Sequence, residues 1–199
     1  EQYVITISRQ FGSMGRSIAR ELSEILGIEF LDRDIVEATA KRMGLPVSVI
    51  SDEEESMKST FFRRQYPLGM GMSSLKDEIF LTQKNIIRDF AAKGSCIIVG
   101  RCGNYVLQDQ LDDVIRIFVY ADTVTRVRRI MDVDKVDEEE ALRRMRKIDK
   151  ERTEYHKYFT GRNWMDMENY DLPINASRID YDEMIILIKD YLKLRGMID

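Results

Sequence analysis

Five short apolar runs set the tightest limit on what this chain can fold into: "YVITIS" (3–8), "IEFLD" (28–32), "CIIVG" (96–100), "VIRIFVY" (114–120) and "LPIN" (172–175). Most are rich in Val and Ile, and all are too short for a buried helix. They lack strict polar–apolar alternation, so each reads as a strand covered on both faces. Segments with apolar residues at helical spacing follow at 16–27, 33–45, 75–94, 122–159 and 181–196. Strands alternating with helices imply an α/β fold, a five-stranded parallel sheet with helices on both faces. Ligands of such sheets bind where loops leave the carboxyl ends of the strands. That rule gathers residues 8–17, 32–34, 100–104 and 120–126 around one crevice.

Local signals mark several boundaries. Gly27 is a natural stop for the first helix, and Asp137 a cap for the second half of 122–159. Pro46 breaks the pattern after the second helix. The acidic "SDEEESMK" and glycine-bearing "YPLGMGMSS" make 51–74 an expected mobile segment beside the site. With 199 residues, no internal repeat and no Pro/Gly/Ser-rich linker, a single domain over 1–199 is expected.

The bulk chemistry excludes several classes. A net charge of −4 argues against a broad basic face for a nucleic acid polymer, and no apolar run approaches a membrane span. One histidine and two cysteines, Cys96 and Cys102, favour neither a zinc site nor a Cys–His protease. The thiols read as reduced and no signal-like region precedes the first strand, so a cytoplasmic location is expected. His156 reads as a surface or interface residue.

The loop "SRQFGSMGRS" (8–17) nearly matches the phosphate-binding pattern G-x-x-x-x-G-K-[ST]. Gly15 fits the second glycine and Ser17 the final hydroxyl. Arg16 stands where lysine is usual, and Gln10 where the first glycine belongs. Gly12 and Gly15 let main-chain N–H groups turn inward, and the next helix would aim its positive end at the same point. Gly12, Ser13, Met14, Gly15, Arg16 and Ser17 are therefore the candidate phosphate cradle. The plainer alternative is a tight strand-to-helix turn.

Further arginines follow later strands. Arg101 in "GRCGN" (100–104) emerges at the sheet edge, and "RRMRKIDKER" (143–152) carries Arg143, Arg144, Arg146 and Arg152. Asp149 and Arg152 are three apart and share a helix face, where they can pair or grip one ligand. A solvated, ion-paired helix is the competing reading. Tyr155, Tyr158, Phe159, Trp164 and Tyr170 read better as a cluster seating a loop on the core, or as a dimer contact, than as a wall for a base.

Four collinear stretches, "ITISRQFGSMGRSIARELSEILGIEFLDRDIVEATAK", "CIIVGRCGNYVL", "IFVYADTVTRVRRI" and "DKERTEYHKYFTGRNWMDMENYDLPINAS", resemble the cytidylate kinase-like family, a branch of the P-loop nucleoside monophosphate kinases. The resemblance implies a P-loop NTPase-type sheet with a helical lid, here about 126–152. It also implies ATP and Mg²⁺ as cofactors and nucleotides as substrates, and leaves a homodimer open. Arg16 would hold donor phosphates, and Ser17 would place the metal, with Asp32 helping through water. Asp32, Arg33, Arg101, Asp149 and Arg152 would serve the acceptor, and Arg143, Arg144 or Arg146 would reach the transferred group. The chain departs from the family's better-known members at Cys102, which replaces an aspartate, and at Met145, which replaces an arginine. The expected activity is phosphoryl transfer to a nucleoside monophosphate such as CMP or dCMP. A kinase for another small acceptor, or a nucleotide-binding regulatory module without turnover, are the alternatives.

Overall fold

The computed structural model describes residues 2–32, 34–55, 75–109 and 113–199. Arg33 and most of the 51–74 segment lie outside these described residues. The strands are β1 (Val4–Arg9), β2 (Glu29–Leu31), β3 (Cys96–Val99), β4 (Val114–Tyr120) and β5 (Leu172–Asn175). They form one parallel sheet in the order β2-β3-β1-β4-β5. β1 is central, with Ile5 level with Ile97 on one side and Ile115 on the other. The chain leaves β1 toward β2, returns to β3 and then crosses to β4, so the carboxyl ends of β1, β3 and β4 border the switch-point crevice.

Alternation along the strands feeds two cores. On one face Ile5, Ile7, Ile97, Ile115 and Ile117 pack against α1 (Gly15–Leu26) and α8 (Tyr181–Leu194) through Ile18, Leu22, Met184 and Ile188. On the other, Val4, Ile98 and Val114 meet α2 (Asp34–Met43), α4 (Leu75–Ala92) and α5 (Gly103–Val106) through Ile35, Ile87 and Val106. Each fully buried Ile or Val contributes about 1.5–3 kcal/mol relative to exposure.

The predicted boundaries hold where caps are local. Gly27 closes α1 at φ 64° with its N–H on Ser23 O. Asp122 caps α6 (Thr123–Asp134), and Asp137 caps α7 (Glu138–Thr160) by accepting the Glu140 N–H. α6 and α7 form a hairpin with its own small core of Val127, Ile130, Ala141 and Met145. The apolar Met145 therefore lies in this seam, 5% exposed.

Two helices depart from the sequence reading. Pro46 starts a helix as well as ending one, because α3 (Val47–Glu55) follows it directly and its carbonyl accepts from Val49 and Ile50. Ile50 anchors α3 against Ala40 and Ile79. α5 is also new, and it follows a left-handed turn described below. Among the described residues, no helix is long and apolar enough to cross a membrane.

Candidate active site

The loop between β1 and α1 is open, not collapsed. Its first residues are spent on the scaffold: the Gln10 N–H donates to Val119 O, and the Gln10 Oε1 accepts the Ala121 N–H at 3.1 Å. Gln10 thus ties the loop to the end of β4, a use that a glycine could not serve. Ser13 is fully buried, and both its N–H and its hydroxyl donate to Gln10 O. Ser13 therefore braces the turn, contrary to a direct part in the cradle. Beyond it, Met14 sits at φ 72° as the N-cap of α1. Among the described residues no carbonyl takes the N–H of Gly12, Met14, Gly15, Arg16 or Ser17. These amides, at the positive end of a 12-residue helix, are open to an anion.

A cavity of about 290 Å³ opens over that end, walled by Gly12, Met14, Gly15, Arg16, Ser17 and Asp32. The Arg16 side chain is 37% exposed yet tethered at its base. Its Nε is ion-paired with Asp32, whose side chain is 11% exposed. Asp32 thereby joins the loop side of the site and anchors the guanidinium. Arg129 of α6, unassigned from sequence, also lines this cavity and donates to Ala176 O at 2.9 Å.

A second cavity of about 680 Å³ lies beside the first, and Arg9, Phe11 and Arg152 line both. Arg101 and Cys102 enter its wall through an unusual turn. Gly100, Arg101 and Cys102 have φ of 68°, 53° and 56°, three consecutive left-handed residues closed by Gly103 N–H to Gly100 O. Two of them carry side chains that pay a steric penalty there, a pattern concentrated at ligand-binding sites. Burial pushes the Cys102 thiol up to about 12, with Arg101 opposing. The residue is neutral and buried at this wall.

The Asp149 and Arg152 pair grips the loop main chain. Asp149 Oδ1 accepts the Phe11 N–H at 2.8 Å, and Oδ2 is ion-paired with Arg126, a buried residue of α6. Arg152 donates to Arg9 O at 2.8 Å, and its guanidinium lies over the Phe11 ring. Burial lowers the Arg152 pKa to about 10, Asp149 opposing and Arg101 adding to the shift. It remains a cation at neutral pH. With both carboxylate oxygens engaged inside the protein, Asp149 acts in this structure as a strut between α7 and the loop.

Arg9, at the last position of β1, was not singled out from sequence. Burial lowers its pKa well below the arginine range, and nearby Arg152, Arg101 and Arg16 add to the shift while Asp32 opposes it. Arg9 and Arg152 line both cavities, while Arg101 lines the larger and Arg16 the smaller. The signal in the sequence was Arg9's position where β1 meets the crevice.

The three arginines expected over the transferred group stand elsewhere. Arg143 and Arg144 both bind Glu140, and Arg144 also reaches Asp134 at 3.1 Å. Arg146 is exposed, and none of the three is among the residues lining either cavity. His156 is a clear correction: it is 3% exposed, lines the larger cavity, and its Nδ1 lies 3.2 Å from Arg162 O. The aromatics form two seats, Phe118 with Trp164 and Tyr170, and Phe80 with Tyr155 and Phe159. Trp164 and Tyr155 also show an edge to the larger cavity.

Comparison with known proteins agrees with this geometry. The sequence profile described as the Cytidylate kinase-like family matches residues 4–178. A cytidylate kinase of Methanopyrus kandleri is 25% identical over 197 residues, covering 94% of this chain and 91% of that protein. One from Saccharolobus islandicus is 25% identical over 194 residues, covering 96% and 91%. A crystal structure of an uncharacterized protein from Eubacterium ventriosum superposes with a TM-score of 0.75 at 29% identity, over 96% of this chain and 99% of that one. Shikimate kinase from Bacteroides thetaiotaomicron gives 0.57 at 11% identity, over 97% and 99%, which speaks for the fold alone. The parallel sheet, the open loop at the start of α1 and the profile match over most of the length together make this chain a member of the cytidylate kinase-like family.

Proposed function

We propose that the protein is an ATP-dependent kinase that transfers a phosphoryl group to a nucleoside monophosphate, with CMP or dCMP as first candidates. The observation that carries this reading is the pair of cavities meeting at Arg9, Phe11 and Arg152. The smaller, capped by open amides and the α1 dipole, suits donor phosphates. The larger is of a size for a mononucleotide and offers Arg101 and Arg152 for its phosphate. Glu37 and Glu151 on its wall can accept from an amino group on a base. Asp149, expected from the resemblance to serve the acceptor, has both carboxylate oxygens engaged by Phe11 and Arg126 and is not free for it.

Transfer forms one P–O bond to an acceptor oxygen as the donor's bridging P–O bond breaks, its electron pair leaving on the diphosphate. A phosphate acceptor is already anionic, so no general base is needed. Catalysis then rests on positioning and on neutralising charge. Among the described residues, no three His, Cys, Asp or Glu side chains group to hold a metal. Mg²⁺ would lean on phosphate oxygens, as it commonly does, with Ser17 and Asp32 on the cavity wall to hold its water shell. When bound it would neutralise donor charge. The α6–α7 hairpin, held together by its own core, would serve as the lid.

One observation favours a second reading. Arg16, the residue in the usual lysine position, is ion-paired with Asp32, which suits a nucleotide-binding module without turnover. ADP release measured over a panel of nucleoside monophosphates with MgATP separates the two. Acceptor-dependent release supports the kinase. MgATP binding with no such release across the panel rejects it.

A further inference from the structure

Arg9 is held in place by the two chain segments on either side of it. A Cβ added at Gly15 would fall 2.5 Å from the Arg9 Cβ, and one added at Gly100 would fall 2.7 Å from its Nη1. The side chain runs from the start of α1 to the turn after β3, across the wall between the cavities. Glycine at 15 leaves room for the stem of the side chain, and glycine at 100 leaves the guanidinium its place without displacing it. It lines both cavities. No carboxylate among the described residues is hydrogen-bonded or ion-paired with it, because Asp32 is taken by Arg16 and Asp149 by Arg126. Half-buried and facing both cavities, its guanidinium is placed to meet an anion on either side.

We infer that Arg9 is the catalytic cation of this site, bridging donor and acceptor phosphates in place of the loop lysine that the chain lacks. The inference rests on the kinase reading for its chemical role, but its anion-bridging part stands independently. A planar fork with five N–H donors can contact oxygens on two sides at once, which a lysine ammonium at position 16 could not do from the α1 end. Arg16, restrained by Asp32, then becomes a support for the donor side.

The test uses Arg9→Met and Arg9→Lys in the full chain, with calorimetric titration of tripolyphosphate, and of orthophosphate in the presence of saturating tripolyphosphate. Turnover is measured over the same nucleotide panel. Arg9→Met should weaken both anions by about 10-fold or more and lower turnover by about 10²–10³-fold, at an unchanged unfolding midpoint. Arg9→Lys should recover part of each loss. Loss of one anion alone, or a lowered midpoint in both variants with no recovery by lysine, overturns the bridging role. Wild-type protein that binds neither anion overturns it too. If both anions bind and depend on Arg9 while no acceptor turns over, the kinase reading fails and the Arg9 site stands. If Arg9→Met turns over like the wild type, Arg9 falls and the kinase reading stands.

Discussion

The Asp149 carboxylate accepts the Phe11 main-chain N–H at 2.8 Å while its other oxygen is ion-paired with Arg126. One side chain of α7 therefore joins the phosphate loop to α6. Asp149→Ala strands the buried Arg126 guanidinium and frees the loop amide, with an expected cost of about 3 kcal/mol in urea unfolding. Loop looseness should also raise the Michaelis constant for ATP more than that for the acceptor. An Asp149→Asn variant keeps an acceptor for Phe11 and should fall between. If Asp149 instead bound a base, the Ala variant would lose acceptor affinity first and stability hardly at all.

Arg144 is held by Glu140 and Asp134 and lines neither cavity. Such exposed pairs contribute little to stability, because water and salt screen them. Arg144→Ala and Arg143→Ala should leave the unfolding midpoint and turnover within about twofold. A turnover loss near 10²-fold in either variant would mean the hairpin closes far enough to release these arginines onto the phosphates.

The sheet, its helices and most of their caps were legible because their causes are local: runs of Val and Ile, helical spacing, and residues such as Gly27 and Asp137 at chain ends of elements. The site was legible only in outline. Arg9 looks like any arginine at a strand end until Gly15 and Gly100 are seen to enclose it. Cys102 and Arg101 adopt left-handed backbone without being glycine, so no residue type announces the turn. Asp149 sits at the right spacing to pair with Arg152, yet its partners come from other elements and one is a main-chain amide. Pro46 misled because the same fixed φ that ends one helix begins the next.

His156 is the chain's one histidine, so its titration can be followed alone. Burial lowers its pKa from the usual histidine value of 6.5, and its Nε2 is buried with no hydrogen-bond partner among the described residues. A histidine held neutral in the fold binds its proton more readily once unfolded. Stability from this group is then full above about pH 6.5 and falls as pH drops below it toward the depressed folded value. The ring signals in NMR should titrate with a midpoint below 6.5. Thermal midpoints should fall between pH 7 and 5 by more in the wild type than in His156→Phe. A folded-state midpoint at or above 6.5 would contradict the buried, neutral ring.

Gly100 and Gly27 provide a matched pair for testing how tightly Arg9 is held. Both are left-handed, at φ 68° and 64°, so alanine at either carries a similar backbone cost of about 1–2 kcal/mol. They differ in surroundings: an added Cβ meets Arg9 Nη1 at Gly100 and nothing within 4 Å at Gly27. The atom met at Gly100 is the far end of a flexible side chain, so the guanidinium yields before the backbone does. Gly100→Ala and Gly27→Ala should therefore lose similar stability in urea, while only Gly100→Ala loses turnover, by about 10²-fold if displacement of about 1 Å matters as it does in preorganised sites. Equal turnover in the two variants would show that the guanidinium's position is not what the site depends on.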